Sequence, residues 1–349
     1  MARVRVVTSI FMALVVGVTL LVAGCQQKTV EVTSAWPIAN AERVVAEPPV
    51  PPRWPYTGKD APSEKAPKRR PLSIKIENSP AARPQLGLNS ADLVYETITE
   101  GGITRFNSIF HSKVPKTVGP VRSARLSDMW IVPQYDGLFF FSGTSSSVQR
   151  AVNKHDLPDL SQDAGVSYPY WRTSDRYAPH NLMLDTGKAY EEAKRRKFRV
   201  IADVTPLQFD RRSSDATPTI TKIVVPFSQA NTVRWKYDSK KRVYRRWNNG
   251  AVHRDRATGD QVTANNVVVM WVKYRQAAHD MVGSVTYDVT LGGKGRVTVF
   301  RNGQRYDGTW QADRDAPPRF TDKSGRPIKL SLGRTWFQVI PLDGKISME

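Results

Sequence analysis

The stretch Leu93-Val94-Tyr95-Glu96-Thr97-Ile98-Thr99-Glu100-Gly101-Gly102-Ile103-Thr104-Arg105-Phe106-Asn107-Ser108-Ile109-Phe110-His111 decides the fold of the first half of the chain. β-Branched and aromatic residues fill both arms, and such side chains suit a pleated, half-buried surface. Two adjacent glycines between the arms mark a tight turn. The stretch therefore predicts a β-hairpin, Leu93 to Thr99 followed by Ile103 to His111. With Gly101-Gly102 as the loop, Glu100 faces Ile103, Ile98 faces Arg105 and Glu96 faces Asn107. Side chains alternate along a strand. Glu96, Glu100, Arg105 and Asn107 are then expected on one face with Ile98 and Ile103, and Tyr95, Thr97, Phe106 and Phe110 on the other, better buried one. A slip of one residue would scramble this arrangement.

Outward from the hairpin, Leu72 to Asn78 alternates apolar and polar residues and predicts another strand. Leu138 to Ser142 is a short apolar run that fits a buried strand. Ser145 to Lys154 and Thr186 to Lys197 predict helices, the second with basic residues in its last turn. Residues 71–206 thus read as a mixed α/β domain. After a connection at 207–217, short strands recur at Ile220–Phe227, Thr232–Tyr237, Val243–Trp247, Asn266–Lys273, Ser284–Thr290, Gly295–Arg301 and Thr335–Ile340. Asn249-Gly250, Gly292-Gly293 and Asn302-Gly303 supply turns. Residues 218–349 are expected to form a mostly antiparallel β domain, a small barrel or sandwich, which makes the whole chain α+β.

The N-terminus speaks of an address. Arg3 and Arg5 precede an apolar run from Val6 to Val22, interrupted by Thr8, Ser9, Gly17 and Thr19. Ala23-Gly24-Cys25 follows, then Gln26, Gln27 and Lys28. Residues 1–24 fit a signal peptide, and Cys25, the single cysteine of the chain, resembles the lipobox cysteine of bacterial lipoproteins, whose thiol carries a diacylglycerol. The alternative is an uncleaved anchor, although the run falls short of the ~20 residues a span needs. Both place the remainder on the extracytoplasmic side of the cell membrane. Residues 25–70, with the run Glu47-Pro48-Pro49-Val50-Pro51-Pro52, are expected to be a disordered, extended tether behind the lipid. Alternatively, part of it packs on the body through Trp54 and Tyr56.

The 349 residues carry 52 Lys and Arg against 32 Asp and Glu, a net charge of +20. Such a balance points to polyanionic surroundings. For an exported chain these are anionic headgroups or wall polymers rather than nucleic acid. Cations and aromatics interleave in Arg234-Trp235-Lys236-Tyr237 and Tyr244-Arg245-Arg246-Trp247; this suits sugars and wall polymers, or a half-exposed strand face with cation–π contacts.

Candidate ligand-binding residues concentrate between Glu77 and Arg125 and again at His180. Glu96, Glu100 and Arg105 come from the hairpin. Arg122 and Arg125 follow the Gly119-Pro120 turn and suit an anion; the alternative is that they bind the hairpin carboxylates. His180 and Asn181 follow Pro179 in a loop. Paired carboxylates also raise a wall-acting hydrolase, with Glu96 or Glu100 as general acid or base. The plainer alternative is a cross-strand Glu–Arg pair on a solvated face. The five histidines have no metal-ligand spacing, and nucleophile and phosphate-loop motifs are missing, so no metal or cofactor is expected.

These stretches together resemble the YerB-like lipoproteins, a bacterial family whose domain is of unknown function. The resemblance is carried by Asn78-Ser79-Pro80-Ala81-Ala82-Arg83-Pro84-Gln85, Ala91-Asp92, Val94-Tyr95-Glu96, Glu100-Gly101-Gly102-Ile103-Thr104-Arg105, Val118-Gly119-Pro120-Val121-Arg122-Ser123 with Arg125, and Arg176 with Ala178-Pro179-His180-Asn181. It continues in Trp235, Tyr237-Asp238, His253, Asp255, Thr258-Gly259, Gly333 and Thr335-Trp336. It implies a two-part body behind a lipid anchor and supplies no reaction. The expected role is a binding or accessory module of the cell envelope, with peptidoglycan, anionic wall polymers or an envelope protein as partner. The rivals are the hydrolase and a scaffold for a membrane-bound cell-wall synthase.

Overall fold

The computed structural model describes residues 51–202, 204–212, 217–279 and 285–349. The expected signal peptide, Cys25, the tether up to residue 50 and positions 213–216 of the connection lie outside the described residues. The described residues belong to one compact unit that runs from residue 50 to 349.

Twelve strands carry the architecture: β1 (Leu72–Glu77), β2 (Leu93–Ile98), β3 (Thr104–Phe110), β4 (Leu138–Phe140), β5 (Lys222–Ser228), β6 (Asn231–Asp238), β7 (Val243–Asn248), β8 (Asn266–Val272), β9 (Gly293–Arg301), β10 (Gln304–Asp313), β11 (Ala316–Thr321) and β12 (Thr335–Pro341). Among the described residues, three α-helices accompany them: α1 (Asp128–Gln134), α2 (Ser146–Lys154) and α3 (Thr186–Arg195). The class is α+β, with antiparallel strands dominating after Lys222.

Nine strands form one sheet in the order β11-β10-β9-β8-β12-β2-β3-β1-β4. It draws on both halves of the sequence. β12 is the zipper, pairing in parallel with β2 on one edge and β8 on the other. Leu93 and Asn266 both register with Thr335, and Glu96 and Val269 with Gln338. A second sheet, built on β5, β6 and β7, lies over the main one. Its inward residues Ile223, Val225, Val233, Trp235 and Tyr244 join Ile74, Val94, Phe106, Val267 and Trp336 of the main sheet in one core. The reverse face of the main sheet packs Leu93, Tyr95, Ile109, Val268 and Phe337 against Ile131 and Tyr135 at α1.

Two expectations are corrected. The segment Pro51 to Arg70, expected in the tether, is part of the body. Tyr56 is fully buried, stacks edge-on to Tyr135 and donates its hydroxyl to the Tyr135 carbonyl at 3.2 Å. Trp54 packs edge-on against His111. The other correction is the hairpin register. Glu100–Gly102 folds as a single 3-10 turn, closed by Thr99 N–H donating to the Ile103 carbonyl at 2.8 Å. Gly101 and Gly102 both take positive φ, and a Cβ on Gly102 would strike the Ser228 hydroxyl. This turn sets Ile98 opposite Thr104 and Glu96 opposite Phe106, one residue away from the expected pairing. Glu96 and Arg105 consequently project from opposite faces of the sheet.

Candidate functional site

The shift divides the expected site residues into two groups. Glu96 goes inward, toward the second sheet, and is fully buried. Arg246 Nη2 donates to both of its oxygens, at 2.8 and 2.9 Å. Thr104 Oγ1 donates at 2.8 Å, Trp336 Nε1 at 3.0 Å and Gln338 Nε2 at 2.9 Å. A carboxylate has about four acceptor sites, and those of Glu96 are filled. Arg246 itself is sealed among Trp336, Phe106 and Trp235, with ring centroids 4.9 to 5.8 Å away. It also donates to His253 Nδ1, whose Nε2 lies 2.6 Å from Gln85 Oε1. Burial, then the charges of Arg246 and Arg83, push His253 well below its ordinary value, so it is neutral. Asn78, Asn231 and Asn248 extend the network between the sheets. A buried pair of this kind locks the layers together and offers nothing to a ligand. The interleaved cation–aromatic run of β7 accordingly turns Tyr244, Arg246 and Asn248 inward rather than presenting one outer face.

The second group gathers on the reverse face. Across β1 and β3, Glu77 registers with Arg105 and Lys75 with Asn107. Lys75 Nζ pairs with Asp128 at 2.8 Å, both fully buried, and Asn107 donates to the same oxygen at 2.9 Å. Asp128 Oδ2 accepts the backbone N–H of Arg125 at 2.7 Å. This buried anchor fixes the Gly119–Leu126 loop and presents Arg122 and Arg125. Gly119 is required for close approach, since a Cβ there would meet Met183 Sδ at 2.7 Å and the Leu182 carbonyl at 2.9 Å.

Above the anchor, Glu100 takes Arg125 at 2.5 and 2.7 Å and Arg105 at 3.6 Å. Burial alone would raise the Glu100 pKa, but Arg125 and Arg105 outweigh it, and the carboxyl sits below its ordinary value. It is an anion at neutral pH, poorly suited to giving a proton. Burial and the Arg125 charge push the Arg105 guanidinium down to about 9, so it keeps its charge. Beside it, Glu77 Oε1 lies 2.9 Å from His180 Nδ1, accepts from Ser79 at 2.9 Å and is 3.5 Å from Arg122 Nε. Its Oε2 is buried without a hydrogen-bond partner. Asn181 braces the loop that carries His180, donating to the Thr173 and Arg176 carbonyls at 3.1 Å and accepting from Arg172. Three guanidinium groups face two carboxylates, which leaves one positive charge over. Arg122 and His180 are the exposed members, at 26% and 29% of their side chains.

Six of the seven expected ligand-binding residues thus fall on one face or its supporting loop, and Glu96 does not. Glu77 was missed. Its signal was the alternation of Leu72 to Asn78, which puts it on the same strand face as Lys75. Arg246, the partner of Glu96, lies 150 residues away in sequence, and no local pattern links the two. Among the described residues, no group of His, Cys, Asp and Glu could hold a metal ion, and no helix is long and apolar enough to cross a membrane.

Residues 56–199 match the N-terminal domain, and residues 223–337 the C-terminal domain, of the family described as protein of unknown function (DUF3048). The chain belongs to this family. It is 30% identical over 291 residues to "Putative lipoprotein YerB" of Bacillus subtilis (strain 168), covering 80% of this chain and 83% of the relative. The crystal structure of the YerB protein from Bacillus subtilis superposes with a TM-score of 0.76 at 28% identity, covering 84% of this chain and 99% of that one. The resemblance expected from the motifs is thereby shown, as are the α+β class and kinship to a protein named a lipoprotein.

Proposed function

We propose that this protein is a binding module of the cell envelope, tethered by a lipid on Cys25 to the extracytoplasmic face of the membrane. Its Arg105–Arg122–Arg125 cluster is the ligand site. The observation that carries the proposal is the built arginine cluster. Its guanidinium groups are preset by a buried Lys75–Asp128 anchor, exceed their carboxylates by one charge and reach solvent at Arg122. Arginine forks match carboxylate and phosphate oxygens. Peptidoglycan and its precursors carry such groups, and the name of the Bacillus subtilis relative supports the membrane address.

A hydrolase using Glu96 or Glu100 finds little support in the geometry. Glu96 has no accessible acceptor, and Glu100 is held ionised between two arginines. The test is co-sedimentation of the full chain, in detergent micelles, with isolated cell-wall sacculi. Pelleting that drops at least tenfold in Arg122→Ala, with unchanged unfolding, supports the site. Wild-type pelleting by Arg122→Ala and by Arg125→Ala would refute it, and release of wall fragments would make the protein an enzyme.

A further inference from the structure

A second polar cleft opens at the far end of the β2–β3 hairpin from the Glu100 turn, where β2 and β12 begin and β3 ends. Its volume is about 590 Å³, within the ~300–1,000 Å³ range of small-ligand sites. The basic side chains that decide its character are Lys59, Lys113 and Arg334. Arg334 sits on the loop entering β12 and is held in place by neutral acceptors alone: the Asn89 carbonyl, Asn89 Oδ1 at 2.9 Å and the Thr263 hydroxyl. Lys59 and Lys113 are exposed at the rim, and none of the three makes an ion pair among the described residues. Burial first, then the charges of Lys113 and Arg334, lower the Lys59 pKa, with Asp92 opposing them in part; burial lowers that of Arg334 against Asp255 and Asp92. Two acids share the cleft, Asp92 and Asp260. Asp92 is occupied by the Ser112 backbone N–H, at 2.6 Å, and by its hydroxyl. A cleft in which basic side chains outnumber the acids, with its floor cation preset, favours an anion.

The rest of the lining selects among anions. No aromatic side chain lines the cleft, so nothing stacks a nucleobase. Val243 is its sole apolar residue apart from glycine, so nothing receives an apolar peptide side chain. Lys241 and Arg245, the latter paired with Asp238, complete the basic lining, and hydroxyl and amide groups such as Ser90, Thr258 and Asn265 are the complement of sugar hydroxyls. We propose that this cleft is a second ligand site, separate from the Arg122 cluster, for a short segment of an anionic glycan. Arg334 grips a phosphodiester or carboxylate group at the floor, and Lys59 and Lys113 take the neighbouring charges.

The test is isothermal titration of the full chain in detergent micelles. The probes are oligogalacturonate, a glycerol-phosphate oligomer and a neutral maltooligosaccharide of similar length. At least one anionic probe is expected to bind and the neutral one not to. The Lys59→Glu/Lys113→Glu double variant is expected to weaken binding at least tenfold, whereas Arg122→Ala leaves it within twofold. Arg334→Gln is expected to weaken it comparably. The hydrogen bonds of Arg334 to Asn89 and Thr263 are structural, so the exposed lysine pair decides the outcome if that variant fails to fold. Failure of both anionic probes, or wild-type affinity in the lysine variant, overturns the proposal. Equal weakening by Arg305→Glu/Lys323→Glu, in a separate groove, overturns it as well, because the net charge alone would then be responsible. Loss of binding in Arg122→Ala moves the ligand to the other cluster and also overturns it.

Discussion

Glu96 and Glu100 stand four positions apart, each engaged by arginine, yet they belong to different kinds of site. On the inward face, Glu96 and Arg246 have no solvent exposure, and the donors Arg246 Nη2, Thr104, Trp336 and Gln338 all close on the Glu96 carboxylate. On the outward side, Glu100 shares Arg105 and Arg125 in a cluster that stays partly open. Identical chemistry serves cohesion in one place and recognition in the other. Burial and the count of satisfied partners decide which, not the residue types.

The difference is breakable by mutation, and the largest effect belongs to the sealed side. Arg246→Ala leaves Glu96 buried without its charge partner and is expected to cost about 3–5 kcal/mol of stability. Urea unfolding monitored by tryptophan fluorescence checks this. A cost under 1 kcal/mol would mean that solvent reaches the network.

Acid should find the same network next. The folded-state pKa of His253 lies well below the unfolded value of ~6.5. A histidine kept neutral by the fold contributes stability above its unfolded pKa. That contribution is lost as pH falls below about 6.5, at up to ~1.4 kcal/mol per pH unit for one proton. The difference in unfolding free energy between wild type and His253→Gln, followed from pH 7.5 to pH 5, is expected to narrow with acid. A difference independent of pH would contradict the neutral, sealed assignment.

On the open side the expected stability effects are small. Glu100→Gln weakens two arginine contacts at a partly exposed position and is expected to cost about 1 kcal/mol. Thermal unfolding measures it, and a loss above 3 kcal/mol would reclassify the cluster as structural. Smallest of all, Arg122→Ala is expected to change stability by under ~0.5 kcal/mol while removing the bulk of ligand binding.

Much of the fold was legible. The strands at Leu72, Leu93, Val243, Asn266 and Thr335 announce themselves by alternation or β-branched runs, and all are observed. The register of the hairpin was not. A Gly-Gly pair is compatible with a two-residue loop and with the 3-10 turn that Glu100 joins, and the choice rests on closure against Ser228, 126 residues away. One residue of slip moved Glu96 from the open face to the sealed one. The single sheet shared by both halves was equally out of reach, because β12 finds β2 and β8 only through tertiary pairing. Trp54 and Tyr56 show the same limit in reverse. Proline-rich composition around them argues for an extended chain, yet their rings, together with backbone hydrogen bonds from Leu207 to Pro55 and from Gly333 to Thr57 and the Arg70–Asp136 pair, hold the segment on the body.

The most direct measurement is the amount of full-length protein retained by sacculi for wild type, Arg122→Ala and Glu100→Gln, alongside their unfolding midpoints. Retention that falls at least tenfold in Arg122→Ala, at an unfolding midpoint equal to that of the wild type, is the predicted result. Undiminished retention at an equal midpoint would show that the open arginine cluster is not where the envelope is bound.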